Sequence, residues 1–312
     1  MNTHHITRRE ATLVLGSAIG ACLLPQSLFA DVKNSLADWR VGRSVGGISP
    51  IDQLKLGEVR EAGFSCIEIS INAASTAKMQ DDEWLAWFKE LKKAADAAEI
   101  EVRSVHIPFG RIWDISDLDE NTRKTAVLKC AKYFDLVDIL GAKFYILHPS
   151  YEPIKDEDRP GRIENCIASL KELAPKARDK GAIIALENLP RTCLGNTSTE
   201  INHILDAVGV PEGLQICFDS NHTLKEKPEE FVAASGKRIV TTHMSDYDAV
   251  DEKHWLPYEG VINWKAVMTE LVKAGYQGPF VFETDRFKDR PASEQEIFET
   301  WLRVKKEFES NS

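Results

Sequence analysis

Four apolar runs in this chain stop on a side chain able to ligate a metal: Ala182-Ile-Ile-Ala-Leu-Glu187, Leu214-Gln-Ile-Cys-Phe-Asp219, Arg238-Ile-Val-Thr-Thr-His243 and Pro279-Phe-Val-Phe-Glu283. Short runs rich in β-branched and aromatic residues suit strands covered on both faces. A carboxylate at the end of such a strand is costly to bury without a cation or a donor. If the four strands are parallel neighbours, Glu187, Asp219, His243 and Glu283 meet at one point.

The rest of the chain fits that arrangement. Strand-like segments fall at 40–45, 64–71, 101–107, 143–148, 182–187, 214–219, 238–243 and 279–284. Between them, residues 82–98 place Trp84, Leu85, Phe88, Leu91 and Ala95 on one helical face, and 120–140 repeats the spacing with Val127, Leu128, Ala131, Phe134 and Leu140. Further helical patterns cover 160–180, 198–208, 264–274 and 293–309. Gly141, Gly181, Gly209 and Gly275 follow helical patterns, where a left-handed cap is wanted. Eight such units close most economically into a (β/α)8 TIM barrel, an α/β fold whose active sites lie at the C-terminal strand ends. A doubly wound open sheet is the alternative, but no Gly-rich phosphate loop follows the first strand.

No composition break divides residues 31–312, and a 312-residue chain that is 43% hydrophobic and 28% charged suits one large domain. A formal charge of −10 without a Lys/Arg-dense stretch disfavours nucleic acid as the partner. The six cysteines are too widely spaced for a zinc knuckle or a redox pair, and Cys66 and Cys217 read as buried thiols within strands. Residues 1–30 read as an export signal: Thr7-Arg8-Arg9 precedes an uncharged run, Ala11 to Leu24, too short for a confident spanning helix. The arginine pair is of the twin-arginine type, although Glu10 and Ala11 depart from the commoner residues. Cleavage after Ala30 or lipidation at Cys22 in Ile19-Gly20-Ala21-Cys22 would follow, with a periplasmic destination.

Carboxylate oxygens with one imidazole suit Mn²⁺, Mg²⁺ or Co²⁺ better than a thiolate-type zinc site. The expectation is one divalent ion, Mn²⁺ first, with Zn²⁺ among the alternatives. Singly, Glu187 reads as an exposed loop carboxylate and His243 as a satisfied core histidine. Together, four polar groups at consecutive strand ends favour a metal site.

Ala-Leu-Glu187-Asn188-Leu-Pro190, Cys-Phe-Asp219-Ser-Asn-His222, Thr-His243-Met-Ser-Asp246 and Val-Phe-Glu283, with Pro257-Tyr-Glu-Gly260-Val-Ile262-Asn-Trp264, resemble the xylose-isomerase-like superfamily of sugar isomerases and epimerases, to which abasic-site endonucleases are related. The resemblance covers residues 40–305. It implies that Glu187, Asp219, His243 and Glu283 bind one metal, that Glu187 and Glu283 also carry the proton, and that His222 contacts the substrate. Six residues beyond Glu187, where the epimerases often carry an acid, stands Cys193, with Arg191 nearby as a substrate-binding candidate. Six beyond His243, where an arginine is often found, stands Ala249.

His106, His148 and His254 fall near the same rim and are assigned to sugar hydroxyls. Glu68, ending the second strand, reads equally as a sugar contact or as a salt-bridge partner at the barrel mouth. Phe109, Trp113, Tyr151, Trp255 and Tyr258 fall in βα loops, where they suit either a sugar face or lid packing. The activity implied is proton abstraction beside a carbonyl on a small sugar or sugar derivative, by an isomerase or epimerase. A β-eliminating sugar lyase is an alternative on the same scaffold. A multinuclear zinc hydrolase of the abasic-site endonuclease type is the runner-up, because matching histidines there hold extra zinc. A sugar-binding protein without turnover would have no use for two bases, and the oligomeric state is left open.

Overall fold

Eight strands alternate with eight helices along the described part of the chain: β1 Val41–Gly46, α1 Leu56–Ala62, β2 Cys66–Ser70, α2 Asp81–Ala97, β3 Glu101–His106, α3 Glu120–Val137, β4 Phe144–Leu147, α4 Arg159–Arg178, β5 Ile183–Glu187, α5 Ser198–Val208, β6 Leu214–Asp219, α6 Pro228–Ser235, β7 Ile239–His243, α7 Trp264–Lys273, β8 Phe280–Phe282 and α8 Glu294–Glu309. The structure is a computed structural model that describes residues 36, 38–46, 55–71, 80–210 and 212–310, all within one compact unit, Ser35–Ser312. The expected export segment, with Arg8, Arg9, Cys22 and Ala30, lies outside the described residues.

All strands pair in parallel in the order β7-β6-β5-β4-β3-β2-β1-β8. A parallel bridge between Met244 and Phe282, with Met244 N–H donating to Val281 O at 2.8 Å, brings the two ends together into a nearly closed barrel. All eight expected strands form. The helices bury the stripes that the spacing marked: α2 turns Trp84, Phe88, Leu91 and Ala95 inward. Gly141, Gly181, Gly209 and Gly275 all take positive φ, between 65° and 80°. Helices α1 and α6 went unread in the sequence, because 7 and 8 residues are too few to display a repeating face.

Inside the barrel the side chains form two layers. The lower is a small apolar cluster, Phe144, Ile146, Ala185 and Cys217, with the Arg103 guanidinium 5.3 Å from the Phe144 ring centre. The upper layer is polar and fully enclosed: Glu68, Ser104, His106, Glu187, Asp219 and His243. Polar groups concentrate at the C-terminal strand ends, where such barrels place their sites. Cys66, Cys130, Cys166, Cys193 and Cys217 are buried and unpaired. Burial pushes the thiol of Cys66 up to about 11 and those of Cys130 and Cys193 to about 12, which makes them inert packing groups. Among the described residues no helix is long and apolar enough to cross a membrane.

Candidate metal centre and substrate pocket

Strand register sets the centre. Asp219 pairs with His243 across β6 and β7, and Glu187 pairs with Cys217, two residues below Asp219. Glu283 follows β8 immediately, so the four expected ligands arrive from consecutive strands. One ligand atom from each lies within 4.8 Å of the others. Glu187 is 1% exposed and Asp219 and His243 are 0% exposed, whereas the Glu283 side chain is 22% exposed and faces the pocket. One oxygen of Asp219 (Oδ2) and one of Glu283 (Oε2) are buried without a hydrogen-bond donor. Each buried carboxylate costs several kcal/mol in lost hydration unless a cation compensates it. Among the described residues no Lys or Arg makes an ion pair with Glu187, Asp219 or Glu283. Orphaned oxygens, convergent geometry and a hard donor set fit a divalent ion.

The histidines are oriented by what lies behind them. His243 places Nε2 2.9 and 3.0 Å from the two oxygens of Glu68, so that nitrogen carries the proton and Nδ1 faces Glu187 Oε1 at 3.1 Å and Glu283 Oε2 at 3.3 Å. His106 donates Nδ1–H to Ile107 O at 2.8 Å and turns Nε2 to Glu187 Oε2 at 3.1 Å. His148 Nε2 lies 3.1 Å from that same oxygen. His222 donates Nδ1–H to Asn188 O at 2.9 Å and meets Glu252 Oε2 through Nε2 at 3.1 Å. These partners fix which nitrogen is available, as in metal sites generally.

Proton affinities diverge accordingly. Burial would raise Glu187, but His243, His148 and the hydrogen bond from His106 hold it well below the usual carboxylate range. Burial raises Glu283 to about 7, and the charges of Glu187 and Asp219 push the same way against His243. Burial also raises Asp219. Glu68 is held low: burial opposes this, but His243, His106 and Ser104 outweigh it. His222 is lifted to about 10, because Asp219 and Glu252 outweigh burial.

Above the centre opens a cavity of about 240 Å³ lined by Glu187, Glu283, His106, His148, His222, His254 and Arg191, so seven of the ten titratable residues singled out in the sequence meet there. Asp219 and His243 lie just beneath. Glu68 does not line the cavity, so it is not placed as a sugar contact; it is an ion-pair partner, of His243, at 0% exposure and not at the barrel mouth. Phe109 stacks on His148 at 4.6 Å and, with Tyr151, faces the cavity. The other three aromatic candidates pack elsewhere: Trp113 against Tyr133, Trp255 beneath Lys288 and Tyr258 beneath Arg303.

Two residues were missed. Glu252 joins His222 and His254 in a group of potential ligands, and His106, His148 and Glu187 make another. Glu152 lines the cavity and binds Arg191 at 2.6 Å. Arg191 also pairs with Asp251 at 2.7 Å and Glu252 at 3.0 Å, so the one Arg or Lys among the cavity-lining residues is already held by three carboxylates. The only hint of Glu252 in the sequence was its place two residues before His254.

The Pro257–Trp264 motif explains how that loop is held. Asp246 accepts hydrogen bonds from Tyr247 N, Tyr258 N, Ile262 N and Trp264 Nε1 at 2.9 to 3.1 Å. A Cβ on Gly260 would stand 2.1 Å from Tyr247 O and 2.3 Å from Asp246 Oδ1, so only glycine fits. Asn221 Oδ1 accepts from Lys253 N at 2.9 Å and His254 N at 3.3 Å, anchoring the other side of the loop.

This fold and site define a TIM barrel built around a cluster of carboxylates and imidazoles. Residues 56–304 match the xylose isomerase-like TIM barrel family, and the chain belongs to it. An uncharacterised protein of Methanocaldococcus jannaschii is 30% identical over 223 residues, covering 69% of this chain and 75% of that protein. Another from Sinorhizobium fredii is 22% identical over 256 residues, 73% of this chain and 80% of its own. Among solved structures, a D-tagatose 3-epimerase-like protein superposes with a TM-score of 0.69 at 24% identity, covering 86% of this chain and 98% of its own. The 3-keto-D-glucoside 4-epimerase of E. coli gives 0.67 at 18%, covering 85% and 98%. D-psicose 3-epimerase of Clostridium cellulolyticum, solved with D-tagatose, gives 0.66 at 20%, covering 86% and 96%. At these identities the likeness establishes the fold.

Proposed function

We propose that this chain is a metal-dependent sugar isomerase or epimerase that removes a proton from a carbon beside a carbonyl. The observation that carries the reading is the pairing of Glu187 and Glu283: both reach one cavity, on either side of Asp219 and His243, with opposite proton affinities. Glu187, Asp219, His243 and Glu283 would hold the ion. When bound, a divalent ion polarises a carbonyl and its neighbouring hydroxyl, which lowers the cost of removing the adjacent C–H proton. Glu187, ionised at neutral pH, is the acceptor on one face; Glu283, on the other face, is the second proton carrier. His106 and His222 have both ring nitrogens engaged by the protein, which leaves His148 and His254 to offer hydrogen bonds to hydroxyls, and the Phe109 ring offers a face to sugar C–H groups. The epimerase identities of the structural neighbours point to the same class of substrate.

A second reading, a multinuclear zinc hydrolase, draws on the two additional ligand groups, His106–His148–Glu187 and His222–Glu252–His254. The rim argues against a polyanionic substrate: Glu152, Asp251 and Glu252 surround the mouth, and Arg191 is held by all three. Elemental analysis of protein purified without chelator is expected to find about one divalent ion per chain. With that ion bound, a panel of unphosphorylated ketoses in D₂O is expected to show deuterium uptake at carbon. Three zinc ions per chain, with cleavage of abasic duplex and no carbon exchange, would replace this reading by the hydrolase.

We also infer export through the Arg8–Arg9 pair. Metal loading during cytoplasmic folding would then precede transport. With both arginines changed to lysine the precursor is expected to remain in the cytoplasm; unchanged delivery to the periplasm would reject the twin-arginine route.

A further inference from the structure

We propose that Glu68 is a positioning residue for the metal centre: by accepting the Nε2–H of His243 it presents the Nδ1 lone pair to the site. The inference rests on the metal reading above and concerns a residue outside the ligand set.

Glu68 enters from β2, across the barrel from β7. Its carboxylate is fully buried, and its only ion-pair partner among the described residues is His243, with both oxygens within 3.0 Å of Nε2. Ser104 Oγ donates to Oε2 at 2.7 Å and Ser44 Oγ to Oε1 at 3.3 Å, so the carboxylate is held from three strands. The backbone is shaped for this contact. The β2–β3 ladder slips between Ile67 and Glu68, pairing Ile67 with Val102 but Glu68 with Ser104. Such bulges re-aim a side chain, and this one sets Glu68 opposite the serine that orients it.

Burying an ion with one imidazole as its counter-charge is a poor way to stabilise a barrel; an apolar side chain would serve better. The arrangement has a use if His243 must keep one tautomer. An imidazole free to exchange tautomers would direct N–H at the site for part of the time and could not ligate there. A carboxylate behind the ring also raises the basicity of the nitrogen in front, and loss of such a partner typically weakens metal binding by ~10- to 100-fold.

The test is Glu68→Gln, with Mn²⁺ affinity measured by chelator competition and melting followed with and without Mn²⁺. Expected are a fall in affinity of ~10- to 100-fold and a smaller Mn²⁺-induced rise in Tm, whatever the change in the metal-free Tm. Affinity within ~2-fold of wild type would overturn the proposal. So would a lower metal-free Tm with the Mn²⁺-induced rise intact, the signature of a purely structural residue. Should Glu68→Gln fail to fold, Ser104→Ala, which removes the hydroxyl that orients the carboxylate, is expected to weaken Mn²⁺ in the same direction, and unchanged affinity there overturns the idea equally. Wild-type protein that binds no Mn²⁺ at this centre removes the functional reading along with the inference, whereas wild-type binding with an unaffected Glu68→Gln removes the inference alone.

Discussion

Glu187→Gln and Glu283→Gln are each expected to bind a ketose yet exchange its carbon-bound proton with solvent at least ~10²-fold more slowly than the wild type. The amide keeps an oxygen of similar size but is not a base. Glu187 has the larger consequence, because it touches three imidazoles at 3.1 Å and loss of its charge reaches all of them. Both variants must therefore be assayed at saturating metal, with sugar binding and exchange measured on one preparation. Exchange retained in both variants removes the two-carboxylate mechanism. If only one loses exchange, a one-base reaction such as β-elimination becomes the better account, since inversion at carbon needs a proton carrier on each face. A binding protein would show no exchange even in the wild type.

How much of this was legible in the sequence depended on whether the signal was local. The strands could be read because their apolar runs are contiguous, and the four central ligands because each ends a run. Parallel order then follows from the alternation of strands and helices. What was not legible lies between elements distant in sequence. Glu68 reads as one acid at a strand end, and nothing near it reveals that β2 will set it under a histidine 175 residues later. Glu252 sits in a charged run, Asp251-Glu252-Lys253, where a solvated surface is the ordinary reading. Only the anchoring by Asp246 and Asn221 turns it towards His222. Arg191 looked like a free cation for substrate; three carboxylates from two other loops occupy it. The aromatic residues show the same limit: loop position alone could not separate Phe109, in the cavity, from Trp113, in the packing.

Mn²⁺ affinity is expected to fall by ~10²- to ~10³-fold between pH 8 and pH 6. In the metal-free protein burial pushes His243 down, but the carboxylates of Glu283, Glu68 and Glu187 hold it well above its ordinary value. Glu283 is raised to about 7. An ion must displace both protons. Above pH 7 the His243 proton is the one to be removed; below pH 7 the Glu283 proton is added and the dependence steepens by up to ~tenfold per unit. Calorimetry in buffers of different ionisation enthalpy should register more protons released per ion at pH 6 than at pH 8. Glu283→Gln should remove the steeper limb and leave the shallow one. Stability of the two forms should move in opposite directions. Both groups have raised values in the folded metal-free chain, so their contribution is present at low pH and is lost as pH rises through those values, Glu283 across the range from its ordinary value to about 7. The metal-free protein should therefore melt at lower temperature at pH 8 than at pH 6. The loaded protein gains the binding term, which grows as affinity rises with pH. Melts that shift in the same direction with and without Mn²⁺, or an affinity flat from pH 6 to pH 8, would mean that the ion does not displace these protons and is held somewhere other than this centre.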